Sequence, residues 1–559
     1  MKNNKYDFLR GTNAKFLLAL LFGTVYNLMH LGTAYFMMVL IDAGNAGDRS
    51  EIKHIVYKAV VFLLAFIILG IIRGMTLKSY KQTTMTNYKR MYVDSILAMK
   101  YTDFKKNSNG KYLSNLTNNA QVISEGFVEG RINIVRASTR ALVVIVVMIV
   151  MNWKMFLITL VCFTLPLICG TLLNSRIVKL TSQVSDKNAK IVTSIKDLLA
   201  GFGVIKSFSA ENEVSSSFSK DFNDLECDNA KLRQLDVLSY VFSDFSTLLM
   251  MIIVFIVGAL FVVNGVMTIG GLMAFVQLLV NLQGPLEVLP GFIAKYNAAK
   301  KLINEDFIEI KEDENGLDNL DTFCEGVDVK DLSFAYDGKN DVLHNVDIEL
   351  KCGKMYAIVG SSGSGKSTLA NLLSGNYPDY TGHIMVDNSE IRNIGNLYDT
   401  LTVIDQNVFI FNDSIYNNIS MFKEFSEENM NRAIKLSGLS KLIEEKGGDY
   451  QCGENGSNLS GGEKQRISIA RSMLLKKKFI IMDESTSNLD IVTARDIENT
   501  VYGLESTLRL IITHNLNDTF LRKCDEIFVI KNGSIVEHGK FDDLLDRKHF
   551  FSSMYELWN

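Results

Sequence analysis

The residues Gly360-Ser361-Ser362-Gly363-Ser364-Gly365-Lys366-Ser367-Thr368 have the types and spacing that hold a triphosphate with its magnesium. They follow the apolar run Met355–Val359 and precede Leu369–Leu373, an order that reads as strand, turn, helix. That context marks a phosphate-binding P-loop. Its glycines let backbone N–H groups converge on the phosphates, and the helix behind adds the positive end of its dipole. Lys366 supplies a charge near the β and γ phosphates, and Ser367 a hydroxyl for Mg²⁺.

Two further groups suit the same chemistry. Phe479-Ile480-Ile481-Met482-Asp483 reads as a buried strand ending in a carboxylate, at the strand end where open parallel sheets bind ligands. Asp483 suits a magnesium position reached through water, and Glu484 is placed to polarise an attacking water as general base. Ser460-Gly461-Gly462-Glu463 opens the helical run Ile467–Arg471, and a Ser-Gly-Gly turn at a helix start is a second anion site.

The elements that must position these groups fall in two halves. The chain has 559 residues, 47% of them hydrophobic, and a net charge of −4, which argues against a nucleic-acid partner. Apolar content gathers in the first 300 residues, where six stretches are long enough to cross a hydrocarbon core, for which about 20 helical residues suffice. They are Lys15–Ile41, Val56–Arg73, Arg136–Met151, Met155–Leu173, Val237–Val263 and Ile269–Ile293, with Arg73 and Arg140 crowding the ends of the second and third. Lys2, Lys5, Arg10 and Lys15 against the slightly acidic loop of Asp42, Asp48, Arg49, Glu51 and Lys53 place the N-terminus in the cytoplasm. The first span has no small-residue cleavage site behind it, so it reads as a retained helix. Only a short polar segment precedes it, and no peptidase domain is expected there. Asn152-Trp153-Lys154 and Asn264-Gly265 make short outward joints. The segments joining spans two to three and four to five are long, polar and helical in pattern, so helices should extend into the cytoplasm. The seven cysteines show no C-x-x-C pair and read as reduced thiols. Residues 1–310 thus form a membrane domain, 311–326 a linker, and 327–559 an α/β domain of alternating short strands and helices.

Taken in order, these motifs resemble the ATP-binding cassette (ABC) transporter family over almost the whole chain. Leu459–Glu463 looks like its signature, with Glu463 where glutamine is usual. Tyr336 resembles the aromatic that stacks on adenine, and Gln406 the Q-loop glutamine that senses magnesium and the membrane domain. Ser487-Asn488-Leu489-Asp490 looks like the D-loop, His514 like the switch histidine at the γ-phosphate, and Glu454 like the exporter X-loop. Asn109–Asn119 and Lys196–Phe208 look like the first and second intracellular loops of exporters, and Gly284-Pro285-Leu286 fits their sixth span.

The resemblance implies six long membrane helices with cytoplasmic extensions, followed by an α/β P-loop ATPase domain, in a bacterial plasma membrane. It also implies a dimer, because the signature of one cassette completes the ATP site on the P-loop of another. A homodimer with two competent sites is expected, and a degenerate partner chain is the alternative. The expected function is ATP-driven export of a peptide, lipid-like or amphipathic molecule by alternating access. An importer of siderophore type on the same fold and a non-transport ABC ATPase are the other readings.

Charge inside a span is costly and usually functional. Arg136 and Arg140 share a helix face at i, i+4, and Arg131 is expected near the same stripe. An anionic or carboxylate-bearing substrate would suit them, as would pairing with carboxylates or headgroups. Asn27, His30, Gln277, Asn281, Gln283 and Glu287 are further candidates for the cavity lining.

Overall fold

The computed structural model describes residues 5–99, 101–172, 174–305, 320, 323, 325–336, 340–405, 408–484 and 491–558. The side chains at 102, 165–172, 174, 243, 491, 493 and 558 are excepted. The chain divides into two compact units, Met1–Met99 with Asn107–Ile310, and Lys100–Lys106 with Lys311–Asn559.

The first unit is helical. Asn13–Met29 and Gly32–Ala46 meet at a nearly helical joint, and the long helices Arg49–Leu97, Glu211–Val263 and Ile269–Glu305 carry the second, fifth and sixth expected spans. The third and fourth fall together in Gly130–Leu172. Among the described residues five runs, not six, are therefore long and apolar enough to cross a membrane. Instead of a loop, the single residue Asn152 takes extended backbone (φ −162°, ψ 101°), and its side chain accepts from Met155 N at 3.1 Å, which caps the helix that follows. Leu63, Leu64, Ile67, Ile68 and Ile71 lie more than half exposed on one helix, a surface suited to lipid rather than water.

The helices close on small residues. A Cβ on Gly126 would lie 2.4 Å from the Lys295 carbonyl oxygen, and one on Gly258 2.1 Å from Leu272 Cδ1. Such close crossings replace the hydrophobic effect as glue in lipid. Gly126 sits in a π-helical stretch, Ile123–Glu129, buried with Phe127 and Ala299 in one core. Gly126→Leu should cost about 3 kcal/mol or more, since backbone must move to admit the side chain. A melting temperature in detergent equal to the parent's would contradict this.

Among the described residues the second unit holds ten strands: β1 Gly326–Phe334, β2 Leu343–Lys351, β3 Met355–Val359, β4 Thr381–Val386, β5 Ser389–Glu390, β6 Leu401–Ile404, β7 Phe479–Asp483, β8 Leu508–Thr513, β9 Glu526–Lys531 and β10 Ser534–Gly539. They make a small antiparallel sheet, β2-β1-β4-β5, and a larger one, β10-β9-β3-β8-β7-β6, parallel except at β10. Every residue of β3 and β8 is buried, as a strand covered on both faces requires. The carboxyl ends of β3, β7 and β8 therefore stand side by side.

Between β6 and β7 lies a helical layer with its own core of Ile410, Ile415, Ile419, Leu439, Leu442 and Ile467. Its longest helix, Gly461–Leu474, is tied down by Arg471, which donates to Asn418 O at 2.6 Å and Phe409 O at 2.9 Å.

Candidate functional site

The P-loop leaves β3 at Gly360 and enters the helix Lys366–Leu373. Gly365 needs to be glycine twice over, because its φ is +102° and a Cβ there would lie 2.7 Å from Leu343 Cδ2. Lys366, nearly fully buried, donates from Nζ to the carbonyls of Gly360 and Ser361, both at 3.0 Å. The Ser364 hydroxyl is buried with no hydrogen-bond partner.

Beside this loop β7 delivers Asp483 and then Glu484. Lys366 Nζ lies 3.9 Å from Glu484 Oε1, and His514, just past β8, places Nδ1 3.3 Å from the same oxygen. The four groups come from three segments, the P-loop after β3, the end of β7 and the residue just past β8, gathered because β8 lies between β3 and β7 in the sheet. Burial pushes the Lys366 ammonium below its ordinary range, opposed by Glu484 and Asp483. Burial likewise pushes the Asp483 carboxyl up, against a hydrogen bond from Ser367.

The magnesium reading can be tested on Asp483. Its Oδ1 is buried without a hydrogen-bond partner, on a side chain that Ser367 touches. Among the described residues no group of three His, Cys, Asp or Glu could hold a metal by itself. A hydrated Mg²⁺ that takes most of its ligands from phosphate and water fits such a site. Gln406, the third residue expected at the metal, and Asp490 of the D-loop lie outside the described residues.

Glu484 has a feature no spacing reveals, a φ of +46°. A non-glycine residue there is held by its surroundings, here by Glu484 N donating to Ile512 O at 2.9 Å, and such strain gathers at functional sites.

Tyr336, two residues beyond β1, bonds through its hydroxyl to Thr368 Oγ1 at 3.1 Å, while its ring remains more than half exposed. Phe334 and Tyr377 meet that ring edge to face, at 5.0 and 5.5 Å between centroids. Tyr377 was not singled out from sequence, since nothing in its neighbourhood of the chain separates it from an ordinary turn tyrosine.

Ser460 is the N-cap of Gly461–Leu474, and with Glu463 it forms a capping box: Ser460 Oγ accepts from Glu463 N, and Glu463 Oε2 from Ser460 N at 2.6 Å. Gly461 and Gly462 fill the first turn. Among the described residues no hydrogen bond or ion pair joins 460–463 to 360–368. Glu454 sits in the short turn Glu454–Gly456, which Lys464 of the signature helix holds by donating to Asn455 O at 2.9 Å.

The first unit has its own polar cluster. Arg140 donates to Asn27 Oδ1 at 3.3 Å and to the Asn281 side chain, and Arg136 to Asn133 Oδ1 at 3.4 Å, while Asn27 Nδ2 donates to Arg136 O at 3.0 Å. The Nε atoms of both arginines are buried without partners, and among the described residues no carboxylate pairs with either. Arg73 lies over the Tyr26 ring at 4.8 Å, and His30 meets Tyr26 edge-on. Arg131 departs from the expected stripe: it bonds to the Tyr80 hydroxyl and lies over Phe16 and Phe127. Five residues from Arg136 is roughly 140° round an α-helix, so the two point to different surroundings. The Gln277 backbone carbonyl accepts from Asn281 Nδ2 at 2.9 Å, and Gln283 donates to Glu287 at 2.7 Å.

Residues 16–286 match the model of the ABC transporter transmembrane region, and residues 343–487 the ABC transporter model. The chain belongs to the ABC transporter family. It is similar to the ATP-dependent lipid A-core flippase of Haemophilus influenzae (strain 86-028NP), 28% identical over 549 residues, covering 94% of this chain and 92% of that one. The corresponding flippase of Francisella tularensis subsp. holarctica (strain LVS) is 28% identical over 494 residues, 86% and 80% of the two chains. A bacterial Atm1-family ABC exporter solved with ATP bound superposes with a TM-score of 0.81 at 22% identity, over 98% of each chain. This ABC transporter carries one membrane region and one ATPase domain, the composition of an exporter-type half-transporter that acts as a dimer in a lipid bilayer. ATP hydrolysis at the P-loop domain drives its transport.

Proposed function

We propose that two copies of this chain, with their ATPase domains and N-termini in the cytoplasm, export an anionic, lipid-like amphipath. The observation that carries the substrate class is the arginine pair, Arg136 and Arg140, held by amides in the membrane unit with no described carboxylate beside them. A buried cation without a counter-charge is expensive, and an anionic headgroup entering the bundle would supply one. The flippase names of the relatives agree with a lipid-like cargo.

In this reading residues 1–310 cross the bilayer six times, with a reversal at Asn152, and 311–326 link them to the ATPase domain 327–559. Tyr336 stacks on adenine, and the P-loop residues Gly360 to Thr368 cradle the phosphates. Ser367, with Gln406 and with Asp483 through water, would hold Mg²⁺, which supplies charge neutralisation at the β and γ phosphates. Glu484 takes the proton of the attacking water as its oxygen bonds to the γ-phosphorus, with ADP as leaving group. His514, in contact with the same carboxylate, orients it and faces the γ-phosphate. Ser460, Gly461, Gly462 and Glu463 of the second copy close the site, and Asp490 serves the nucleotide as a D-loop residue. This need for a second copy is what the exporter-type half-transporter composition implies.

Each unit also exposes an apolar patch. Phe202, Val204 and Phe208 stand out on or beside the short helix Phe202–Ser207 of the membrane unit, and Phe409, Phe411 and Phe422 on the helical layer of the ATPase unit.

The test is transport and ATPase activity of purified protein in vesicles containing phosphatidylglycerol or only phosphatidylcholine. ATP-dependent movement of a labelled anionic lipid out of the leaflet facing the ATPase domains, with little movement of the zwitterionic one, is the expected result. Movement toward the ATPase side, or indifference to headgroup charge, would refute it.

A further inference from the structure

The helix that presents Ser460 carries a carboxylate, Glu463, in its first turn. A helix N-terminus attracts anions, but a negative side chain there opposes the arrival of another. Two contacts answer this in the present chain. The Ser460 N–H draws Glu463 Oε2 back along the loop at 2.6 Å, and Lys446, the last residue of the helix Ser440–Lys446, places Nζ 3.7 Å from Oε1. Lys446 is further fixed by donating to Asn458 O at 3.5 Å and by lying 4.9 Å above the Tyr450 ring. Both side chains are under a third exposed, so the pair is less screened than an ordinary surface pair.

We propose that Lys446 is a positioning residue for ATP, neutralising Glu463 so that the signature segment of one subunit can accept the terminal phosphate held by the P-loop of the other. The inference rests on the proposed two-copy site. It makes Glu463 and Lys446 a unit: a carboxylate at 463 is tolerated because an ammonium stands against it, and a glutamine at 463 needs no such partner. Lys446 would otherwise serve only its own helix end, a role that does not depend on which residue occupies 463.

The experiment is a double-mutant cycle on the full-length transporter in vesicles, with kcat and KM for ATP measured at low and high salt. Lys446→Ala should raise KM about fivefold at low salt, the size of one partly screened charge interaction, and less at high salt. In a Glu463→Gln background the same change should move KM by less than about twofold. Lys446→Arg should keep the parent KM, and Lys446→Gln, which retains the stem and loses the charge, should raise KM as alanine does and replaces it in the cycle where the alanine variant folds poorly. Equal effects of Lys446→Ala in both backgrounds, or none in the parent, would overturn the pairing. Ser460→Arg separates the two levels. Full turnover in that variant would overturn the two-copy site itself, whereas loss of turnover with an unresponsive Lys446→Ala overturns only the role of Lys446.

Discussion

Replacing Glu484 with glutamine should lower steady-state ATP turnover about 100-fold or more while leaving nucleotide binding in place. The side chain keeps its size and its reach toward His514 and Lys366, both within 4 Å of the carboxylate, but loses the basic oxygen that takes the water's proton. ATP should then persist in the closed dimer, so the variant should occlude nucleotide and resist dilution where the parent releases it. Phosphate release and retention of labelled ATP after gel filtration are the two readouts. Full turnover in Glu484→Gln would falsify the base assignment. A variant that neither binds nor hydrolyses would instead point to a structural role for the residue, whose φ of +46° depends on its bond to Ile512.

The nucleotide site was legible in the sequence to the extent that it is built from backbone. Gly363 and Gly365 announce positive φ, the apolar runs of β3 and β7 announce buried parallel strands, and Asp483 follows one of them directly. What sequence could not carry is whatever depends on a partner distant in the chain. Tyr377 is found only through its ring contact with Tyr336, 41 positions earlier, and Lys446 only through a carboxylate on another helix. The membrane half was legible in its apolar lengths and less so in its phase. The expected third and fourth spans meet at one extended residue, Asn152, because a single capping side chain can end one helix and begin the next. Arg131 was placed with Arg136 by nearness in the chain, whereas five residues of one α-helix turn the two apart. The boundaries of the short insert Lys100–Lys106, which clusters with the ATPase unit, had no compositional signal at all.

The arginine pair carries the second large effect, and its two consequences have opposite signs. A guanidinium at the centre of a span costs about 2.5 to 3.5 kcal/mol, and among the described residues these two half-buried ones donate only to the side-chain amide oxygens of Asn27, Asn133 and Asn281. Replacing both Arg136 and Arg140 with methionine should therefore leave the ligand-free protein at least as resistant to heat as the parent, because an apolar side chain of similar length removes the uncompensated charge. The same change should raise the concentration of anionic lipid needed for half-maximal ATPase stimulation by about tenfold or more, since a cation desolvated among helices attracts a phosphate or carboxylate far more strongly than one in water. Thermal melts without ligand and stimulation curves with phosphatidylglycerol measure the two sides. A purely structural role predicts lower melting with unchanged stimulation, the reverse on both counts. Arg140→Lys should fall between, because lysine keeps the charge and loses the planar fork that spans Asn27 and Asn281.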